Sequence, residues 1–495
     1  MVHKPPQSER RIASWGFEKI ADAVGGELRW IPENATSPRG VSTDTRSIEA
    51  GELFVALRGE NFDGHEFVED ARRTEASGAI VEQGYSSGAL HESFPIIYVA
   101  DTRRALGNLG REVWREARAQ GLHTVDVTGS NGKTTTKEML RAIWSSRGET
   151  FATLGNFNNE IGLPLTLCAI PEEARHLIVE IGANAPGEIS HLVAFAPGEQ
   201  RIITSIGLAH TEGFGSLDGV RAAKSEILES ADSDTVGIVP YEEVEHLAVG
   251  EFPGEIRTFG TEPGADLRLV DYRNVESGRG EFEAVYESAD EVEMPDRFSV
   301  RLGLPGKHNG LNLAASLLTL EAEGVEVRPE ALEPTLTNLE LPGGRWREIR
   351  HGELAFVDDA YNANPSSVRA SFEAFLQIEP PATMDSDESL RRIAVVGEMH
   401  ELGEEAARLH GEVARDVASS SQLEAFVAVG EFSREMVEQA GRAAEHDIEL
   451  AAHAEPDDVA SWLIERAPAF VWMKASRANE LERVIQRVKD AEADD

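Results

Sequence analysis

The sequence predicts an α/β protein built from about three domains. Its 495 residues exceed what one ordinary hydrophobic core organises, and length alone points to about three. Short runs rich in β-branched and aromatic residues alternate with helical periods along most of the chain, the mark of parallel α/β sheets. In the middle, the glycine loop "VTGSNGKTTT" at residues 127–136 stands between a strand run and a helix run, as a phosphate-binding loop does.

In the first block, "GELFVALRG", "GAIVEQG" and "PIIYVAD" read as strands, and "TRRALGNLGREVWREARAQ" as a helix leading onward. The second block opens with "HTVDV", a strand that runs straight into the glycine loop, followed by "KEMLRAIWSS" with helical period. The strands "HLIVEIGA", "RIITSIG" and "TVGIVP" come next, separated by helical segments, so the expectation is a parallel sheet. Residues 260–300 read as a small β insertion with acidic turns. "LPGGRWRE" marks the next joint, beyond which "LAFVDDAY", "RIAVVGEM", "AFVAVGE" and "AFVWMKAS" alternate with helices as a second α/β domain. The expected domains are residues 1–105, 106–340 and 341–495.

Composition narrows the class. The start, "MVHKPPQSERRIASW", has no apolar core of signal-peptide type, and the longest strongly apolar run, "LPLTLCAI", falls far short of the ~20 residues of a membrane span. The single cysteine, Cys168, excludes an intramolecular disulfide framework and reads as a buried thiol. A soluble cytoplasmic protein is expected, without membrane span. The net charge of −41 argues against nucleic acid as a partner, because a polyphosphate is repelled. Of the 47 basic residues only eight are lysine, at 4, 19, 133, 137, 224, 307, 474 and 489. Such a surface, rich in Asp, Glu and Arg, suits solubility in high salt. Each lysine that remains invites a functional question.

The glycine loop carries the first answer. Only two residues separate its glycines, where the common Walker A loop has four. Backbone N–H groups of Gly129, Ser130, Asn131, Gly132 and Thr135, with the helix dipole, favour phosphate there. Lys133 reaches toward the β- and γ-phosphates, and the Thr134 hydroxyl suits Mg²⁺. Downstream, "GNFNNEIGLP" sets Asn156, Asn158, Asn159 and Glu160 between apolar runs, as loop caps or as ligands for a polyhydroxyl compound. Glu180 and His210 each end a strand, where open α/β sheets bind ligands. There they are either solvated or able to hold a divalent cation. Lys224 lies on a helix: a surface lysine, or, after carbamylation by CO₂, a carboxylate on a long arm. Lys307 and His308 precede Asn309 and Asn312, one helical turn apart, which could serve a base or a ribose. Arg345 in "LPGGRWRE" could neutralise a transferring phosphoryl group. Asp359 and Asn362 in "VDDAYNANPSS" end another strand, as do Lys474, Ser476 and Arg477 in "MKASRANE", a reasonable carboxylate site.

Taken together, the short loop "TGSNGKTT", "GNFNNEIGLP", "DDAYNANPSS" and the N-terminal "GVSTDTRSIEAGELFVALRGENFDGHEF" resemble the Mur ligase family, the ATP-dependent amide-bond ligases of peptidoglycan assembly. The match spans nearly the whole chain in order. It implies a uridine-nucleotide-binding N-terminal α/β domain, a central P-loop ATPase domain and a C-terminal Rossmann-like domain. In the first, Ser42, Asp44, Arg46, Asp63 and His65 become substrate-binding candidates. The resemblance assigns the ATP phosphates and a first Mg²⁺ to Lys133 and Thr134, with Glu180 as a further ligand of Mg²⁺. It gives a second Mg²⁺ to His210 and carbamylated Lys224, the adenine side to Asn309 and Asn312, and the C-terminal part of the ATP site to Arg345 and Asp359. Asn156, Asn158, Asn159 and Asn362 lie toward substrate, and Lys474, Ser476 and Arg477 toward the incoming peptide. One departure shows: the family usually has Lys-Gly-Ser-Arg at the last site, and here it is Lys474-Ala475-Ser476-Arg477.

The resemblance implies UDP-N-acetylmuramoyl-tripeptide and D-alanyl-D-alanine as substrates, joined by way of an acyl phosphate in a monomer whose domains are expected to close about hinges near Gly121 and Leu341. The family's ligase that adds the third peptide residue, a folylpolyglutamate synthetase, a P-loop switch or motor and a non-catalytic muramyl-nucleotide-binding protein are the rival readings. The Asn-rich motifs and the set Lys133, Glu180, His210 and Lys224 argue against them.

Overall fold

The computed structural model describes residues 5–29, 31–33, 35–86, 94–208, 211–275, 281–289, 294–383 and 389–494, whose strands fall into three sheets. His210 lies outside these residues.

The N-terminal sheet pairs Val41–Ser42, Leu53–Val55, Gly78–Glu82 and Ile96–Val99 in parallel, with the short Glu27–Leu28 antiparallel at the edge. Alternate side chains go to opposite faces. Leu53, Val55, Ile80 and Ile97 pack with Trp15, Phe17 and Ile20, while Phe54, Ala79, Val81 and Tyr98 pack with Val68 and Ala71. Both faces are covered, which is why these strands read as unbroken apolar runs.

The helix Thr102–Ala119 starts at Asp101, whose carboxylate caps the Arg104 N–H. Its first half, through Ala105, Leu106, Leu109 and Val113, belongs to the N-terminal core. Trp114 and Ala117 belong to the next. One helix thus serves two cores, and the boundary expected at 105/106 falls within it.

The central sheet has the order Arg297–Leu302, Phe282–Ser288, Leu267–Asn274, Glu255–Gly260, Val236–Pro240, Gln200–Ile203, His123–Thr128, His176–Glu180, Thr150–Ala152. From Leu267–Asn274 through Thr150–Ala152 neighbours run parallel; Phe282–Ser288 and Arg297–Leu302 extend the sheet antiparallel. The helices Lys133–Trp144 and Lys307–Ala322 cover one face, where Val125, Val127 and Ile178 meet Met139, Leu140, Leu313 and Leu317. Cys168 is buried among N-terminal core residues.

The C-terminal sheet has the order Arg347–His351, Leu354–Asp358, Ala469–Lys474, Arg391–Val396, Ala425–Val429, Glu449–His453; its first strand is antiparallel and the rest parallel. The helix Pro365–Leu376 begins with Asn364 and Ser367 in a reciprocal capping box and with proline in its first turn. That N-terminus faces the glycine loop of the central domain.

Candidate active site

A cavity of about 800 Å³ opens between the central and C-terminal domains, lined among others by Ser130, Asn131, Lys133, Thr134, Glu180, Asn312, Arg345, Asp359 and Lys474. It lies at the C-terminal ends of His123–Thr128 and His176–Glu180, where strand termini and helix N-termini leave backbone donors free.

The loop's glycines are dictated by space and by backbone. Gly129 has φ +145° and Gly132 has φ +82°, both costly for other residues. A Cβ at Gly129 would collide with Thr204 Oγ1, and one at Gly132 with Asn312 Oδ1. The loop is pinned from below: Ser130 N donates to Ser205 O at 2.8 Å, and Ser130 Oγ donates to Gly207 O at 2.9 Å. Asn131 N donates to Ser205 Oγ at 3.0 Å. Lys133 Nζ donates to Gly129 O at 2.7 Å. Desolvation in the cavity holds the Lys133 pKa below its ordinary value; Glu180 opposes this and the positive Arg345 adds to it.

Thr134 and Glu180 meet in the cavity. Thr134 Oγ1 donates to Glu180 Oε2 at 3.0 Å, and Asn158 Nδ2 donates to Glu180 Oε1 at 3.0 Å. A hydroxyl beside a carboxylate is a hard oxygen pair of the kind Mg²⁺ takes. Mg²⁺ commonly uses one or two protein oxygens and draws the rest from phosphate and water. No group of three acidic, His or Cys side chains forms a ready metal cage among the described residues.

Lys224 is 1% exposed, and its ammonium sits 5.5 Å from the Phe214 ring centroid. Burial, then the nearby Lys133, lowers its pKa to about 7. A substantial fraction is therefore the free amine near neutrality, the form able to add CO₂.

The C-terminal domain brings its own charges. Arg345 stacks over Tyr361 with Cζ 3.5 Å from the ring centroid, and its Nη1 donates to Pro342 O at 2.8 Å. Lys474 Nζ donates to Asp359 Oδ2 at 2.7 Å and to Asn362 O at 3.1 Å, while Ser371 Oγ donates to the same Asp359 oxygen at 2.6 Å. His308 lines the cavity beside Asp359 and Lys474; burial lowers its pKa to about 4, so the ring is neutral at pH 7. Asn309 Nδ2 donates to Pro305 O at 2.7 Å, and Asn312 Nδ2 to Asn309 Oδ1 at 3.3 Å.

The two domains touch at the loop itself. Asn364 Nδ2 donates to Asn131 Oδ1 at 2.7 Å, and Asn131 Nδ2 donates to Ser366 Oγ at 2.8 Å. Sequence alone gives Asn364, Ser366, Thr204, Ser205 and Lys137 no role. Asn364 and Ser366 stand inside the "NANPSS" stretch already quoted, and Lys137 was one of eight lysines. Those were the available signals.

Ser476, Arg477 and the N-terminal candidates stand apart from the cavity lining, whereas Asn156 and Asn159 belong to it. Ser476 is buried, with Oγ accepting from His400 N at 2.9 Å, and Arg477 pairs with Glu482 at 2.5 Å on the surface. In the N-terminal domain Asp44 grips Arg46 through both oxygens, at 2.9 and 2.7 Å, and Ser42 Oγ donates to Asp44 O at 3.2 Å. Asp63 accepts from His65 N at 3.0 Å and faces His65 Nδ1 at 2.6 Å; His65 Nε2 accepts from Glu82 N at 2.9 Å. Contacts link this domain to the cavity: Glu160 lines the cavity and pairs with Arg103, whose neighbour Arg58 pairs with Asp63 at 3.0 Å. Asn159 Oδ1 caps the next turn by accepting from Gly162 N at 2.9 Å, and Asn156 lines the cavity.

Known proteins share this architecture. Three family models match: "Mur ligase family, catalytic domain" over residues 38–118, "Mur ligase middle domain" over 127–320 and "Mur ligase, glutamate ligase domain" over 344–494. The chain is 32% identical over 472 residues to the UDP-N-acetylmuramoyl-tripeptide–D-alanyl-D-alanine ligase of Bacillus subtilis (strain 168), covering 95% of this chain and 97% of that protein. A crystal structure of MurF from Acinetobacter baumannii superposes with TM-score 0.82 at 30% identity, over 96% of this chain and 99% of the other. The MurF ligase of Thermotoga maritima in complex with ADP gives TM-score 0.75 at 29% identity, over 91% and 97%. With the glycine loop, the Thr134–Glu180 pair and the three-domain order all in place, the chain belongs to the Mur ligase family.

Proposed function

We infer that the chain is an ADP-forming ligase that joins D-alanyl-D-alanine to UDP-N-acetylmuramoyl-tripeptide, yielding the UDP-muramoyl pentapeptide. The observation that carries this is one cavity in which a phosphate loop, a Thr–Glu oxygen pair and three C-terminal charges (Arg345, Asp359, Lys474) converge, in a chain similar along its whole length to ligases of that name.

The tripeptide carboxylate attacks the γ-phosphorus of ATP. The bond to the β-phosphate oxygen breaks, and ADP leaves behind an acyl phosphate. Two anions must meet, so the task is neutralisation and alignment. Lys133, at the helix N-terminus, draws negative charge onto the phosphates, and Arg345 adds a second cation from the opposite domain. The amine of D-alanyl-D-alanine then attacks the acyl carbon, phosphate departs with the bonding electrons, and the amine gives up a proton. Asn131, bonded to Asn364 and Ser366, holds the C-terminal domain against the loop, which shields the acyl phosphate from water.

Mg²⁺ would be held by Thr134 and Glu180, with a second site involving His210 and carbamylated Lys224, and would supply Lewis-acid polarisation of the phosphoryl oxygens. Lys224 supports the carbamate reading by its burial and its low pKa: the free amine adds CO₂ and releases a proton, which turns a buried neutral amine into an anion. Asn309 and Asn312 serve the adenosine side. Ser42, Asp44, Arg46, Asp63 and His65 serve the uridine nucleotide, and Asn158, Asn159 and Asn362 the muramyl peptide. Lys474, Ser476 and Arg477 orient the incoming dipeptide. The enzyme works as a cytoplasmic monomer; no described helix is long and apolar enough to cross a membrane.

The test is ADP release with ATP, Mg²⁺ and UDP-muramoyl tripeptide, with and without D-alanyl-D-alanine. Turnover that needs both substrates, with a pentapeptide product by mass, is the expected result. Turnover indifferent to the dipeptide overturns the substrate assignment and leaves an ATPase.

A further inference from the structure

Lys137 is one of only eight lysines, and it is 1% exposed. It lies one turn beyond Lys133 on the same helix. Its ammonium is enclosed by oxygens from three parts of the site: Thr153 O at 3.2 Å, Gly155 O at 3.3 Å, Glu180 Oε2 at 3.4 Å and Glu138 Oε1 at 3.4 Å. The two carbonyls open the loop that carries Asn156, Asn158 and Asn159. An ammonium has three donors. Two are used on carbonyls, so its attraction for Glu180 is chiefly a charge pairing at low exposure, where screening is weak.

This fixes the charge of the site. Glu180 is the carboxylate beside Thr134; of the other lining acids, Glu160 and Asp359 are engaged by Arg103 and Lys474, and Glu188 accepts from Asn184 N at 2.8 Å, while Glu138 beside Lys137 is paired with Arg141 at 2.8 Å. With Glu138 held by Arg141, a divalent cation that approaches Glu180 meets a carboxylate whose charge Lys137 already offsets, in the field of Lys133. Phosphates on the loop supply the missing negative charge.

We propose that Lys137 is a positioning residue that orients and counter-charges Glu180, so that the site takes a divalent cation only together with nucleotide phosphates. The proposal rests on Glu180 being a metal ligand.

The experiment is Mn²⁺ titration of the full chain followed by electron paramagnetic resonance, with and without ADP, in high KCl. Site binding is read as the difference from Glu180→Gln, which cancels diffuse binding to the acidic surface. Wild type is expected to show Glu180-dependent Mn²⁺ binding with ADP and very little without it. Lys137→Gln keeps an amide donor for the carbonyls and deletes the charge. It is expected to bind Mn²⁺ without nucleotide on the order of tenfold more tightly than wild type, and Lys137→Arg to restore the wild-type pattern. Nucleotide-free affinity unchanged or weakened in Lys137→Gln overturns the proposal. Should that variant not fold, wild type alone decides: Glu180-dependent binding as tight without ADP as with it also overturns it. No Glu180-dependent binding even with ADP is a separate failure, that of Glu180 as ligand.

Discussion

At the scale of single residues, two buried ionisable groups set pH behaviour. Lys224 has its folded pKa lowered from 10.5 to about 7, mainly by burial. Below pH 7 both folded and unfolded chains carry the charge, and the folded chain bears the full cost of burying it. Between about 7 and 10.5 the unfolded chain holds the extra proton, so the folded state gains as pH rises. Lys224→Met is therefore expected to stabilise the fold by roughly 1–3 kcal/mol at pH 6, and less at pH 9, while abolishing ligation. Urea unfolding at the two pH values measures the first effect and ADP release the second. Asp126 behaves with the opposite sign. Burial raises its pKa from 3.8 to about 7, against the pull of Arg201 and a 2.8 Å bond from Gly198 N. Its cost is absent below pH 3.8 and complete above 7. Asp126→Asn keeps that acceptor and should raise the melting temperature at pH 8 but hardly at pH 4; an equal change at both would contradict the assignment.

Elements add what residues alone cannot. The helix Pro365–Leu376 owes its start to Asn364, which caps Ser367 N at 2.9 Å and also reaches Asn131 in the other domain. Asn364→Ala should cost about 1 kcal/mol of stability through the lost cap, together with a fall in kcat/KM for ATP. The cap loss is private to the helix, whereas the bond to Asn131 is shared. In a double-mutant cycle with Asn131→Ala, the effects on kcat/KM should be non-additive by about 0.5–1.5 kcal/mol; strict additivity would show that the contact does not close the site. This scale also marks where sequence reading was strong. The run "HTVDV" into "TGSNGKTT" forecast strand, loop and helix because all three are local: period two, two glycines at left-handed φ, then a helical period. The helix Thr102–Ala119 was legible as a helix but not as a bridge. Which core each turn joins depends on partners far along the chain.

For the whole molecule, charge dominates. A net charge of −41 means strong self-repulsion within the folded chain, which salt screens. Raising KCl from 0.1 to 2 M is expected to increase the melting temperature by several degrees, as scanning calorimetry would record; a flat or falling response would sink the high-salt reading. Many exposed Arg–carboxylate pairs, such as Arg72–Glu69 at 2.8 Å, are each worth little, so net repulsion should outweigh their loss on screening.

The sequence by itself determined the chemistry on offer. It set the alternation of strands and helices, the short glycine loop with Lys133 and Thr134, and the carboxylates, amides and lysines placed at strand ends. These follow from local periodicity and from backbone conformations that few residues adopt. Only the tertiary structure decided which of these groups meet. Asn364 reaches Asn131 across 233 residues, Lys474 pairs with Asp359 across 115, and Lys137 turns inward to Glu180 instead of outward to water. Such pairings depend on strand order and on how two domains seat against each other, and no local pattern records either one.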